Sequence, residues 1–210
     1  MTIRIDKVVT SGTFALDGGE WDVDNNIWLI GDDESCYIID AAHEAEPIIQ
    51  AVGDRKVLGV LLTHGHNDHV TVAPQLAERF DAPIFLHPGD DMLWQMTHPE
   101  VGYEEIADQE QFSLPDGTFL TALNTPGHSP GSTVFYAPDH GVLFGGDTLF
   151  NGGPGATGDR SFASFDTIIE SLRTKVLELP DDTIVHTGHG DDTTIGGEAP
   201  HLDEWIKRGY

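Results

Sequence analysis

Apolar positions recur along this chain with two periods, and the switches between them mark out the expected elements. Ile3 to Val9, Asn26 to Ile30 and Cys36 to Ile39 read as strands, separated by the turn-prone Asp17-Gly18-Gly19 and Gly31-Asp32-Asp33. Glu44 to Val52 reads as a helix that opens on an acidic turn. Val57 to Leu62 is a continuous apolar run, the pattern of a strand covered on both faces. Val70 to Phe80 follows as a helix with Val72, Leu76 and Phe80 along one side. Ile84 to Leu86 is a short strand, and Pro88 to Met96 a helix with proline in its first turn. Residues 111 to 125 form a hairpin turning at Asp116-Gly117. Thr133 to Tyr136 and Val142 to Phe144 pair across Pro138-Asp139. A glycine-rich loop covers 152 to 160. Ser164 to Leu179 is helical, Thr183 to His186 a strand, and Leu202 to Arg208 a closing helix. No repeat or linker interrupts this order, which implies helices outside two packed sheets in one domain, residues 1–210.

Composition changes that picture in three ways. No apolar run approaches the ~18 residues of a membrane span, and Met1 to Thr10, with Arg4, Asp6 and Lys7 among its apolar residues, reads as a strand and not as a secretory signal. The single cysteine, Cys36, excludes an internal disulfide and reads as a small buried hydrophobe. Together these point to the cytoplasm. The formal charge of -26, from 36 acidic against 10 basic residues, repels phosphate backbones and excludes nucleic acid as a partner. No membrane partner is expected either.

The histidines carry the candidate chemistry. Thr63-His64-Gly65-His66-Asn67-Asp68-His69 places three imidazoles and a carboxylate directly after the strand 57–62. In extended chain His64 and His66 project to the same side, because side chains alternate. Two imidazoles on one side suit a borderline ion such as zinc. The chain then turns into a helix near His69, so Asp68 and His69 point elsewhere, and one segment can serve two adjacent ions.

His-x-His-x-Asp-His resembles the signature of the metallo-β-lactamase superfamily, and later segments agree in order. Asp40 ends the strand Tyr37-Ile38-Ile39. His128 sits in Pro126-Gly127-His128-Ser129-Pro130-Gly131-Ser132, Asp147 in Gly145-Gly146-Asp147-Thr148-Leu149-Phe150, and His189 in Thr187-Gly188-His189-Gly190. The resemblance spans roughly residues 25 to 200 and implies an α+β fold, a four-layer αββα sandwich. It implies a first metal held by His64, His66 and His128, a second by Asp68, His69 and His189, and Asp147 bridging them, with Asp68 and Asp147 the catalytic carboxylates. Asp40 would orient ligands without binding metal. The two cofactor ions would be zinc, with iron or manganese as alternatives.

The segments around Asp147 and His189 are most similar to glyoxalase-II-like hydrolases. That similarity implies a metal-activated hydroxide cleaving a small acyl thioester, with mycothiol a natural thiol. Two features depart from full glyoxalase II enzymes. Only 20 residues follow Gly190 where those enzymes carry a helical extension that helps bind glutathione, and Asn151 to Arg160 lacks the usual Gly-x-Gly-Arg-x-Asp run. Arg160 is open to two readings, a contact to a substrate carboxylate or a structural salt bridge. Three alternatives stay open: a mononuclear iron persulfide dioxygenase, a lactone or lactam hydrolase, and a non-catalytic metal-binding domain. His186 competes with His189, whose Gly-His-Gly setting favours it. His43 is a candidate pocket residue. His87, His98, His140 and His201 read as surface or helix-edge residues, and Trp94 and Met96 as packing.

Overall fold

A computed structural model describes residues 2–209; Met1 and Tyr210, the ends of the expected domain, lie outside them. The chain opens with a long hairpin, β1 (Arg4–Leu16) and β2 (Gly19–Gly31), followed by β3 (Ser35–Ile39), α1 (Ala45–Val52), β4 (Lys56–Leu61), α2 (Asn67–Val70), α3 (Ala73–Phe80), β5 (Ile84–Leu86), α4 (Asp91–Thr97) and β6 (Glu104–Glu105). The second half runs β7 (Gln111–Ser113), β8 (Phe119–Asn124), β9 (Thr133–Ala137), β10 (Val142–Gly146), β11 (Leu149–Phe150), β12 (Gly153–Pro154), α5 (Phe165–Ser171), β13 (Ile184–Thr187), β14 (Thr193–Thr194), α6 (Ile195–Glu198) and α7 (Leu202–Arg208).

One six-stranded sheet has the order β1-β2-β3-β4-β5-β6, the other β14-β13-β10-β9-β8-β7. The apolar runs explain how they stack. Along β2 and β3, Ile27, Leu29, Cys36 and Ile38 join the core under α1, α3 and α4, while the alternating Trp28, Ile30, Tyr37 and Ile39 face the other sheet. In β9 and β10, Phe135, Ala137, Val142 and Phe144 meet them, and Val134 and Leu143 turn outward to Ile168, Leu172 and Trp205 of the second helical layer. Strands buried on both faces read as continuous hydrophobic runs, and the layers are helix, sheet, sheet, helix. Among the described residues no helix is long and apolar enough to cross a membrane. Cys36 is fully buried, and burial pushes its thiol up to about 11.

The structure departs from the sequence reading in four places. The first two strands are 13 residues each, pairing from Arg4↔Gly31 to Leu16↔Gly19. Period-two burial continues past Val9 through Thr10, Phe14 and Leu16, but Thr10 and Gly12 occupy inward positions and hide the pattern. Gly12 is small because the His43 ring lies against it: a Cβ there would sit 2.2 Å from His43 Nδ1. Second, the expected helix Val70 to Phe80 breaks at Thr71-Val72. Pro74 stands in the first turn of α3, where it needs no N–H; inside one continuous helix it would clash with the preceding turn. Third, the loop 152–160 is partly paired, Leu149 with Pro154 and Phe150 with Gly153. Fourth, Trp94 is fully buried as expected, but Met96 is 62% exposed. Two positions along a helix is more than half a turn, so the two residues cannot share a face.

Candidate metal centre

The candidate ligands follow strand ends. Asp40 follows β3, His64 and His66 lie between β4 and α2, Asp68 and His69 are within α2, His128 joins β8 to β9, Asp147 follows β10 and His189 follows β13. The structure brings all seven candidate ligands together. His64, His66 and His128 offer nitrogens within 4.8 Å of one another, and so do the offered atoms of Asp68, His69 and His189. His66 Nδ1 is 3.0 Å from His128 Nε2; His69 Nε2 and His189 Nε2 are 3.3 Å apart. Asp147 stands between the groups, with Oδ2 3.6 Å from His128 Nε2 and 3.4 Å from His189 Nε2, and Oδ1 3.3 Å from His69 Nε2.

The outward nitrogens fix the inward ones. Nδ1 of His69 lies 2.9 Å from Asp40 Oδ2, that of His128 2.8 Å from the Ala156 carbonyl, and that of His189 2.7 Å from the Asp24 carbonyl. Each acceptor takes the Nδ1 proton in a hydrogen bond and turns Nε2 toward the centre, where a bound ion would take the place of any second ring proton. His64 Nδ1 meets Thr63 Oγ1 at 3.1 Å. Asp40 also accepts from Thr63 N at 2.8 Å and Thr63 Oγ1 at 2.9 Å, so it orients the segment from behind.

Electrostatics match that geometry. Burial lowers His64, His66 (to about 3) and His128, leaving neutral rings. For His69 and His189 burial acts downward too, but the carboxylates outweigh it. Asp147 and Asp68 lead in holding His69 well above its ordinary value and His189 at about 10. Burial would raise Asp147, yet His189 and His69 hold it well below the carboxylate range. Carboxylates this deep demand a positive partner, and divalent ions answer that demand. Four buried atoms, Nε2 of His64 and His66 and Oδ1 of Asp68 and Asp147, have no hydrogen-bond partner. Buried polar groups are rarely left so, and the donor set of imidazoles and carboxylates fits two such ions. Gly188 lets the chain pass beside them, since a Cβ there would sit 2.3 Å from Asp147 Oδ1.

The model of the metallo-β-lactamase superfamily matches residues 21–189. The chain belongs to the metallo-β-lactamase superfamily. It is 39% identical over 189 residues to hydroxyacylglutathione hydrolase GloC of Haemophilus influenzae, covering 82% of this chain and 89% of that protein. Among solved structures, TTHA1623 in a di-iron-bound form shares 29% identity at a TM-score of 0.75, covering 90% of this chain and 96% of that one. The B3 metallo-β-lactamase BLEG-1 shares 27% at 0.76, covering 92% and 98%.

Within this superfamily fold, three further side chains act on the centre. Asn25 is buried, with Nδ2 3.2 Å from both Asp68 Oδ2 and His69 Nε2 and 3.4 Å from His189 Nε2. His43 does not line the pocket; its Nε2 lies 2.7 Å from Asn25 Oδ1 and holds that amide in place. Asp90, fully buried, accepts from Gly65 N at 2.8 Å, Ser129 Oγ at 2.6 Å and Gly131 N at 2.6 Å. It thus ties the His64–His66 segment to the His128 loop. Sequence reasoning missed Asn25 and Asp90. The signal at Asn25 was a polar pair, Asn25-Asn26, opening an apolar run; Asp90 looked like an ordinary helix-start acid. Replacing Asp90 by alanine removes no ligand, yet we expect metal affinity to fall by about 10–100-fold, as for other residues that orient ligands, measured by competition with a chromogenic chelator.

His186 is turned away: Nδ1 lies 2.8 Å from Asp192 Oδ2 and the ring packs 4.2 Å from that of Trp28. His87 and His98 are half-buried beside α4, His140 pairs with Asp116, and His201 is exposed. A pocket of about 460 Å³ opens over the centre, walled by Phe14, Trp21, Val23 and Phe150 and floored by His66, Asp68, His128, Asp147 and His189. Arg160 forms no salt bridge among the described residues; it lies over Phe14 and Trp21.

Proposed function

We propose that this chain is a two-metal hydrolase of small acyl thioesters. The observation that carries the reading is Asp147 Oδ2, 3.6 Å from His128 Nε2 and 3.4 Å from His189 Nε2, a single carboxylate oxygen shared by two three-residue groups. His64, His66 and His128 would hold one ion, and Asp68, His69 and His189 the other. Two ions held there would supply an acidified water and a polarised carbonyl. The protein's own part is to aim and to accept. Tautomers fixed by Asp40, Ala156 and Asp24 keep the nitrogens directed inward. Asp68 Oδ1, ionised and without a hydrogen-bond partner, and Asp147, ionised and 3.3 Å from His69 Nε2, are the acceptors available to a water between the two groups. Phe14, Trp21, Val23 and Phe150 shield the substrate from bulk solvent.

Thioester chemistry is favoured over lactam opening because the relative named a hydroxyacylglutathione hydrolase is 39% identical, against 27% for BLEG-1. A dioxygenase with one iron has no use for the second group, whose Asp68 Oδ1 is buried without a partner. A non-catalytic metal protein has no use for the pocket. Zinc is the ion we propose, with iron or manganese the alternatives. The thiol is a small one, mycothiol or glutathione, and the single buried cysteine suits the cytoplasm. Thiol release and oxygen uptake should be followed together on metal-loaded enzyme, with acyl thioesters of both thiols and with glutathione persulfide. Thiol release without oxygen uptake is expected. Rapid oxygen consumption with no thiol release from any thioester would overturn the assignment.

A further inference from the structure

In a chain with 36 acidic residues to 10 basic ones, arginines find carboxylates readily: Arg4 pairs with Asp33, Arg55 with Asp6 and Arg173 with Glu170. Like Arg79, which lies over Phe80, Arg160 forms no ion pair among the described residues. Its guanidinium lies over the ring of Phe14, at 5.1 Å, and that of Trp21, at 5.8 Å. It is also the one lysine or arginine that lines the pocket above the metal centre.

The position is built, not incidental. Phe14 and Trp21 face each other across β1 and β2 and stack at 5.5 Å. Next to Arg160, Ser161 N donates to Asp17 Oδ2 at 2.9 Å, which fastens the loop to the tip of the same hairpin. The Phe14 ring also meets that of His66, edge-on, at 5.2 Å. One aromatic ring is therefore in contact with both the guanidinium and an imidazole of the centre. A cation over ring faces is held without using its N–H donors, and an arginine's fork of donors matches a carboxylate in two-point fashion.

We propose that Arg160 is the anchor for a carboxylate on the substrate, so that the preferred thioesters carry an anionic group on the acyl or the thiol half. The proposal rests on the thioester reading and narrows it to a substrate class. It also gives the aromatic hairpin a purpose: Phe14 and Trp21 hold the cation, and the carboxylate-bearing arm lies between that cation and the reacting carbonyl.

Matched pairs test it on metal-loaded enzyme. S-succinyl against S-succinamoyl N-acetylcysteamine varies the acyl half; S-acetyl-3-mercaptopropionate against its amide varies the thiol half. For one half, the carboxylate should raise kcat/KM by about 10–100-fold, the worth of charged hydrogen bonds, mainly through KM and less so at high salt. Arg160→Ala should bring that ratio to within about twofold of one by lowering the rate on the carboxylate partner more than on the neutral one, and Arg160→Lys should fall between, lacking the two-point geometry. The same ratio in Arg160→Ala as in the parent, or an equal loss on both partners, would overturn the proposal. So would a parent that does not discriminate in either pair. If no thioester turns over, the hydrolase reading fails. Arg160 is then judged separately by tryptophan-fluorescence titration with the corresponding unreactive thioethers, where the carboxylate should bind more tightly than the amide in the parent and not in Arg160→Ala. Equal binding of the two in the parent would overturn it.

Discussion

Replacing Asp147 by alanine is expected to lower thioester hydrolysis by roughly a thousandfold or more and to weaken retention of both ions, because this one carboxylate serves both groups. Its Oδ2 approaches His128 and His189, and its Oδ1 approaches His69. The loss has two sources. The carboxylate that would join the two ion-holding groups is gone, and with it the paired site that would acidify a water; His69 and His189 also lose the leading opposing charge beside them. Asp147→Asn separates the two, keeping the shape while removing the charge, and is expected to retain more metal than alanine but little activity. Elemental analysis after gel filtration, with steady-state thiol release on the same samples, reads both. Activity within tenfold of the parent would show that Asp147 does not join the groups.

The second large effect distinguishes two histidines three residues apart. His189→Ala is expected to cut metal content from two ions toward one per chain and activity by orders of magnitude, about a hundredfold at the least for loss of a ligand. His186→Ala should leave metal content unchanged and activity within about twofold, the scatter of a site that shares no partner with the chemistry. The reason is directional. His189 leaves the end of β13 with Nδ1 tied to the Asp24 carbonyl and Nε2 among the ligands, whereas His186, within β13, packs on Trp28 and Phe144 and bonds to Asp192. His186→Ala should therefore show itself in a lower unfolding temperature instead, through lost packing. The reverse pattern in metal content would reassign the second group.

His128, Asp147 and His189 were legible only through the family resemblance, but His64, His66, Asp68 and His69 were legible as candidate ligands because they lie in one short segment at a strand end, where spacing decides which side chains converge. His64 and His66, one residue apart in extended chain, and Asp68 and His69 on the following turn illustrate this. The layer order was legible for a related reason: alternate residues of β2, β3 and β10 are apolar on both faces. What stayed hidden depends on contacts distant in sequence. Asn25 gains its meaning only when β2 passes beside His69 and His189, and Asp90 only when α4 is brought against Gly65 and Gly131. The first strand was read only to Val9, short of Gly12, whose reason for being small, the His43 ring, lies 31 residues away. Arg160 was left between two readings because nothing local shows that the β1–β2 hairpin extends far enough to meet it. The break before Pro74 was legible in principle, since proline inside a helix conflicts with the preceding turn, but the apolar spacing of Val72, Leu76 and Phe80 outweighed it.

The central claim is that seven side chains form one site for two ions and that thioester hydrolysis needs both. The most direct measurement is a stoichiometric titration of metal-stripped protein with zinc, and in parallel with ferrous iron and manganese, following the initial rate of thiol release at each addition. Activity that stays low over the first equivalent and rises to a plateau at two equivalents per chain is the predicted result. Full activity at one equivalent, with no further change at the second, would contradict it.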